Sequence, residues 1–167
     1  WSLTGTHNRL NALAAIAAAR HCGVDPRQAI AALATFEGVK RRMEVRGTVN
    51  SITVYDDFAH HPTAIATTIE GLRAKVGSGS IVSVLEPRSN TMKAGIMKDR
   101  LAASLAGSDL VFCYSAGLAW DARAVLAPLG AKAVVDDDFD RLADAVAAAC
   151  RAGDHVLVMS NGGFGGI

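Results

Sequence analysis

From residue 80 onward, short apolar runs alternate with longer stretches whose apolar residues recur at helical spacing. Ile81-Val82-Ser83-Val84-Leu85 and Val156-Leu157-Val158-Met159 are almost free of polar residues, as strands covered on both faces are. Just upstream, Ile65, Ile69, Leu72 and Val76 mark one face of a helix over residues 62–76. The pattern then predicts strand 80–85, a helix over about 97–106, strand 109–114, a helix over about 118–127, strand 132–135, helix 138–151 and strand 154–159. Strands alternating with helices imply parallel pairing through right-handed crossovers. The expected fold is therefore α/β, with a Rossmann-like, mostly parallel sheet and flanking helices.

The first part of the chain has another rhythm. Leu10, Leu13, Ile16 and the alanines between them predict a helix from Asn8 to Arg20, ended by Gly23 as a left-handed cap. Asp25 is a good N-cap and Pro26 fits the first helical position, so a second helix runs through Ile30 and Leu33 towards Gly38. Two tandem helices with no strand before them read as the tail of another domain. Residues 43–47 and 51–55 then predict a hairpin joined around Val49-Asn50. The expected division is a helical remnant, residues 1–38, and an α/β domain, residues 39–167.

The chain has 167 residues, enough for one domain with a sizeable core plus a fragment of a second. A formal net charge of +1 gives no argument for nucleic acid or an acidic membrane as partner. No apolar run approaches a membrane span and no signal-peptide pattern is present. Cys22, Cys113 and Cys150 are widely spaced and match no metal pattern, so they read as reduced structural thiols of a cytoplasmic protein. A start at Trp1 and an end at Ile167, just after a glycine-rich turn, suggest part of a longer protein.

The chemistry concentrates in a few places. Tyr55-Asp56-Asp57-Phe58-Ala59-His60-His61-Pro62-Thr63 joins a strand to a helix, at the sheet edge where α/β proteins bind ligands. A solvated turn can explain these residues, but carboxylates and imidazoles together also suit proton transfer and metal–phosphate chemistry. His7-Asn8-Arg9-Leu10-Asn11 sets two amides three residues apart at a helix start, either as capping groups or as a purine-edge reader that donates and accepts at once. Arg41-Arg42 is ordinary junction charge or a phosphate contact. Glu86-Pro87-Arg88-Ser89-Asn90 follows a buried-type strand, with Arg88 either paired to Glu86 or facing a substrate. Ser160-Asn161-Gly162-Gly163 ends the last strand as a structural turn or an anion contact. No Gly-x-x-x-x-Gly-Lys-Ser/Thr loop occurs.

Taken together, these stretches resemble the Mur ligase family, the ATP-dependent amide-forming enzymes of peptidoglycan assembly. The Asp57-to-Pro62 turn resembles the one that opens the family's C-terminal domain. The stretches Leu85–Lys93 and Met159–Gly166 resemble the recycling branch, which joins L-Ala-γ-D-Glu-meso-diaminopimelate to UDP-N-acetylmuramate through an acyl phosphate. The resemblance runs from Thr6 to Ile167. It implies Asp57 and His60 on the catalytic edge, and Asn8, Asn11, Arg42 and Asp57 at the nucleotide. It implies Arg88, Ser89, Asn90, Ser160 and Asn161 at the acceptor peptide. It places ATP and Mg2+ mainly on upstream domains of the same polypeptide, with no metal ligand in this chain. It also implies a hinge at residues 38–48 and a fragment that is inactive alone. The alternatives are the L-alanine-adding relative and a non-catalytic α/β binding module.

Overall fold

The computed structural model describes residue 3 and residues 5–166. Trp1 and Ile167, the expected domain limits, lie outside the described residues. The chain forms α1 (Thr6–His21), α2 (Pro26–Ala34), β1 (Glu44–Val49), β2 (Ile52–Asp57), α3 (Pro62–Val76), β3 (Ile81–Leu85), α4 (Asn90–Lys93), α5 (Leu101–Ser104), β4 (Leu110–Tyr114), α6 (Ala122–Leu126), β5 (Ala133–Asp136), α7 (Phe139–Ala149) and β6 (His155–Met159). The strands make one sheet in the order β1-β2-β6-β3-β4-β5. β1 is antiparallel to β2, and the other pairs are parallel. This is the expected mostly parallel α/β sheet.

Period-two alternation splits the strands between two apolar layers. Ile81, Leu85, Val111, Cys113, Leu157 and Met159 pack with α3, α5 and α6. Val82, Val84, Phe112, Val156 and Val158 pack with Leu142 of α7 and with Phe164. All five residues of β3 are buried, as its unbroken apolar run predicts. α3 buries Ile65, Ile69 and Leu72 at three- and four-residue spacing, starts on Pro62 and ends before Gly77 at φ 60. Cutting fully buried Leu72 to alanine costs about 2–5 kcal/mol through lost contacts and a residual cavity.

Several boundaries differ from expectation. β2 continues through Asp56 and Asp57, which pair in register with Val158 and Met159, so only residues 58–61 form the turn before α3. Ladder bonds to a strand far away in sequence outweigh the local polarity that suggested an earlier end. The hairpin turn is Asn50-Ser51, both at positive φ, the geometry that matches strand twist in two-residue hairpins. The predicted helix at about 97–106 shrinks to a 3-10 turn and α5, where Ser104 bonds back to the Leu101 carbonyl at 2.7 Å. That at about 118–127 shrinks to α6 and a 3-10 turn, interrupted at Gly130. α4 was not expected; Ser89 caps it, accepting from the Met92 N–H at 3.3 Å.

α1 begins two residues before the expected start, so Asn8 lies in its first turn. Gly23 at φ 88 and Asp25, which accepts from the Arg27 N–H at 2.7 Å, act as predicted. α1 packs on α2, yet Leu10, Leu13 and Ile30 remain exposed. Among the described residues no helix is long and apolar enough to cross a membrane. All three cysteines are free; Cys113 is buried, and burial pushes its thiol up to about 12, whereas Cys22 is exposed.

Candidate active site

The carboxyl ends of β2, β6 and β3 finish level with one another. Asp57 pairs with Met159, and Met159 pairs with Leu85. Residues 58–61, 160–163 and 86–89 therefore emerge side by side, although they lie far apart in sequence. Open α/β sheets bind ligands at such an edge.

Asp57 is the most buried of the predicted site residues with an ionisable side chain, at 3% exposed. One carboxylate oxygen accepts from the Ala59 N–H at 2.7 Å and the Thr68 hydroxyl at 3.4 Å, and the other from the Met43 N–H at 2.8 Å. Burial pushes the carboxyl above the usual range, opposed by those donors and by the charge of Arg42. A carboxylate has about four lone-pair directions, so three bonds leave room for one further donor. Asp57 thus pins the linker to the sheet while also lining a groove.

That groove encloses 340 Å³ and is lined by His7, Asn8, Asn11, Arg42, Asp57 and Thr68, among others. Asn8 and Asn11 share the α1 face their spacing predicts. Arg42 lies over the Phe58 ring at 5.6 Å, and Arg41 lies over the same ring at 5.5 Å. His60 Nδ1 is 2.9 Å from the Phe58 carbonyl, and the two rings meet edge-on with centroids 5.4 Å apart. The carbonyl fixes Nδ1–H in the neutral ring and leaves the Nε2 lone pair for another partner. His61 is committed to α3, where it accepts from the Thr63 N–H at 3.4 Å.

The other predicted group gathers between β3 and β6. Ser160 is fully buried, and its hydroxyl donates to Glu86 while accepting from the Gly162 N–H at 2.9 Å. Its N–H donates to the Asp57 carbonyl at 3.1 Å. Arg88 is half-exposed, lies 3.8 Å from Glu86 and rests against the Gly162 backbone, where a side chain would collide with it. Ser89 spends its hydroxyl on α4, and Asn90 is exposed at the start of that helix. Asn161 Oδ1 is buried with no hydrogen-bond partner, an acceptor without a donor. The sequence reads Arg41-Arg42 as junction charge or a phosphate contact, and Glu86 as no more than a partner for Arg88. The structure gives both central roles, because Arg41 also reaches Ser160 and Glu86 fixes its hydroxyl. An apolar cavity of 390 Å³ lies between α7 and the hairpin, lined by Val54, Leu142 and Val156, and has little with which to hold a charged ligand.

A family model described as "Mur ligase, glutamate ligase domain" matches residues 41–162, nearly three-quarters of the chain. The chain belongs to the Mur ligase family. Over its whole length it is 55% identical to UDP-N-acetylmuramate–L-alanyl-gamma-D-glutamyl-meso-2,6-diaminoheptandioate ligase of Escherichia coli, spanning 37% of that relative. It is 36% identical, over 96% of its length, to UDP-N-acetylmuramate–L-alanine ligase of a Mycobacterium species, of which 35% is covered. The crystal structure of a murein peptide ligase from Psychrobacter arcticus superposes with a TM-score of 0.76 at 44% identity, covering 99% of this chain and 36% of that one. The chain thus spans little more than a third of these relatives. Mur ligases are ATP-dependent ligases that use Mg2+. Among the described residues no cluster of His, Cys, Asp or Glu could hold a metal ion, and Asp56 and Asp57 are already bonded to Arg41 and to backbone N–H groups.

Proposed function

We propose that this chain is the C-terminal part of a cytoplasmic ligase that joins L-Ala-γ-D-Glu-meso-diaminopimelate to UDP-N-acetylmuramate in peptidoglycan recycling. The observation that carries this reading is the whole-chain 55% identity to a relative of that name. Residues 39–167 form the acceptor-peptide domain, and residues 1–38 belong to a central ATP-binding domain. The exposed apolar residues Leu10, Leu13 and Ile30 support that division, since a surface of this kind calls for a cover. Mg2+ and the ATP phosphates are held mainly by upstream domains, and this chain alone is inactive.

ATP supplies the phosphoryl group that turns the UDP-N-acetylmuramate carboxylate into an acyl phosphate, and Mg2+ offsets the phosphate charge. This chain's residues bind and orient. Asn8 and Asn11 read the adenine edge, and Arg42 meets phosphate oxygens as a guanidinium fork. Asp57 offers its remaining lone pair to the ribose, and His60, three residues further along, belongs to the catalytic edge. Arg88 holds a carboxylate of the tripeptide, with Ser89, Asn90, Ser160 and Asn161 around it. Asn161 Oδ1 gains there the donor it lacks. Closure about residues 38–48 brings the tripeptide amine within attack distance of the acyl phosphate, and the amide forms as phosphate leaves.

The test uses the full-length protein with ATP, Mg2+ and UDP-N-acetylmuramate. Phosphate release with the tripeptide and not with L-Ala, slowed about 10–100-fold in Arg88→Ala, is the expected result. Release with L-Ala alone would assign the chain to the alanine-adding branch.

A further inference from the structure

We infer that Arg41 is a positioning residue that couples the nucleotide groove to the peptide-side loop, an inference that rests on the ligase reading above. Arg41 lies in the linker at φ 56, and Met43 follows at φ 53. Left-handed conformations of this kind cost about 1 kcal/mol or more in non-glycine residues and persist only where the surroundings hold them. The Arg41 N–H donates to Glu44 at 2.8 Å, and its carbonyl accepts from the Phe58 N–H at 2.8 Å. Its guanidinium covers Phe58, donates through Nε to both Asp56 oxygens at 3.3 and 3.2 Å, and donates through Nη2 to the Ser160 carbonyl at 2.7 Å.

One side chain therefore joins three segments: the linker, the end of β2 with the turn after it, and the loop after β6. On the linker side its neighbour is Arg42, which lines the groove with Asn8 and Asn11. On the loop side the Ser160 carbonyl it holds belongs to the Ser160–Asn161 peptide group. Ser160 is locked through its hydroxyl to Glu86, beside Arg88, and Asn161 carries the unpartnered acceptor. Turning the linker as Arg42 engages phosphate moves the anchor of Arg41, and the fork passes that movement to the Ser160–Asn161 peptide. Lysine would keep the charge but has no planar fork to serve Asp56 and the carbonyl while covering a ring.

The test is calorimetric, with full-length protein, UDP-N-acetylmuramate and Mg2+. The affinity for L-Ala-γ-D-Glu-meso-diaminopimelate is measured with and without a non-hydrolysable ATP analogue. In the wild type the analogue should tighten tripeptide binding about tenfold or more, within the usual range of coupling between sites. By reciprocity the tripeptide should tighten the analogue by the same factor. In Arg41→Lys and Arg41→Met that factor should fall below about threefold, a change that loss of stability alone would not produce. Asp56→Asn, which keeps Arg41 but removes its ion pair, should reduce the factor as well and serves if the Arg41 variants do not fold. Variants that keep the full wild-type factor overturn the inference. So does a wild type that binds tripeptide equally with and without the analogue. A wild type that binds no tripeptide under either condition overturns the ligase reading itself, and the coupling with it.

Discussion

Two corners of the same sheet edge are built on opposite terms. At the end of β2, Asp57 is buried and each of its oxygens already holds a hydrogen bond. Between β3 and β6, Arg88 is half-exposed and loosely paired, and Asn161 keeps a buried acceptor with no partner. Both corners carry polar residues that the sequence marks as functional. The first spends three of its lone-pair directions on structure and keeps one; the second holds a loosely paired guanidinium and an acceptor with no donor. How far each residue is already satisfied within the fold, rather than its chemical type, distinguishes the two corners.

Breaking the first corner should have the largest effect on folding. Asp57→Ala strands the Met43 and Ala59 N–H groups, and buried unsatisfied donors cost about 1–3 kcal/mol each. We expect a loss of about 2–4 kcal/mol in denaturant unfolding of the full-length protein. A loss below about 1 kcal/mol would mean that water replaces the carboxylate and that the corner is less closed than described.

Arg88→Ala should do the reverse. Stability should change by less than about 1 kcal/mol, as for most exposed ion pairs. Turnover with the tripeptide should fall by about 10–100-fold, as one charge-assisted contact is lost. Loss of folding without loss of turnover per folded molecule would exchange the roles of the two corners.

Asn161→Ala removes an acceptor that has no donor, so the free protein should be unaffected or slightly stabilised. The tripeptide KM should rise several-fold. Clear destabilisation of the free protein would show that Oδ1 has a partner before substrate arrives.

The smallest effect tests the far end of the edge. At the end of β5, hydrogen bonds from Arg141 hold the Asp136 carboxyl at about 2, below its ordinary 3.8. A depressed carboxylate contributes stability that is fully present above the unfolded value and is lost as pH falls through the folded one. The contribution should disappear between about pH 4 and pH 2. Asp136→Asn should flatten that part of the pH–stability profile. Asp57→Asn should not, because the Asp57 carboxyl is shifted upward.

Much of this arrangement was legible in the sequence. Apolar runs gave β3 and β6, helical spacing and Pro62 gave α3, and Asn8 and Asn11 were expected on one face. Alternation of strands and helices was enough to bring Asp57, Arg88 and Ser160 to one edge. What escaped depends on partners remote in the chain. Asp56 and Asp57 read as turn residues because their polarity is local, whereas their strand pairing with Val158 and Met159 is not. Arg41-Arg42 read as junction charge or a phosphate contact, because nothing nearby in sequence points from Arg41 to Ser160. Satisfaction of polar groups is a three-dimensional property, so the contrast between the two corners was invisible to a pattern of residue types.

The most direct test of the ligase reading offers the full-length protein both acceptors at once. With ATP, Mg2+, UDP-N-acetylmuramate and equal concentrations of L-Ala and L-Ala-γ-D-Glu-meso-diaminopimelate, mass spectrometry identifies the product. The account predicts the UDP-N-acetylmuramoyl tripeptide as the dominant product, formed about 10–100-fold more slowly in Arg88→Ala. A product carrying only L-alanine would contradict it.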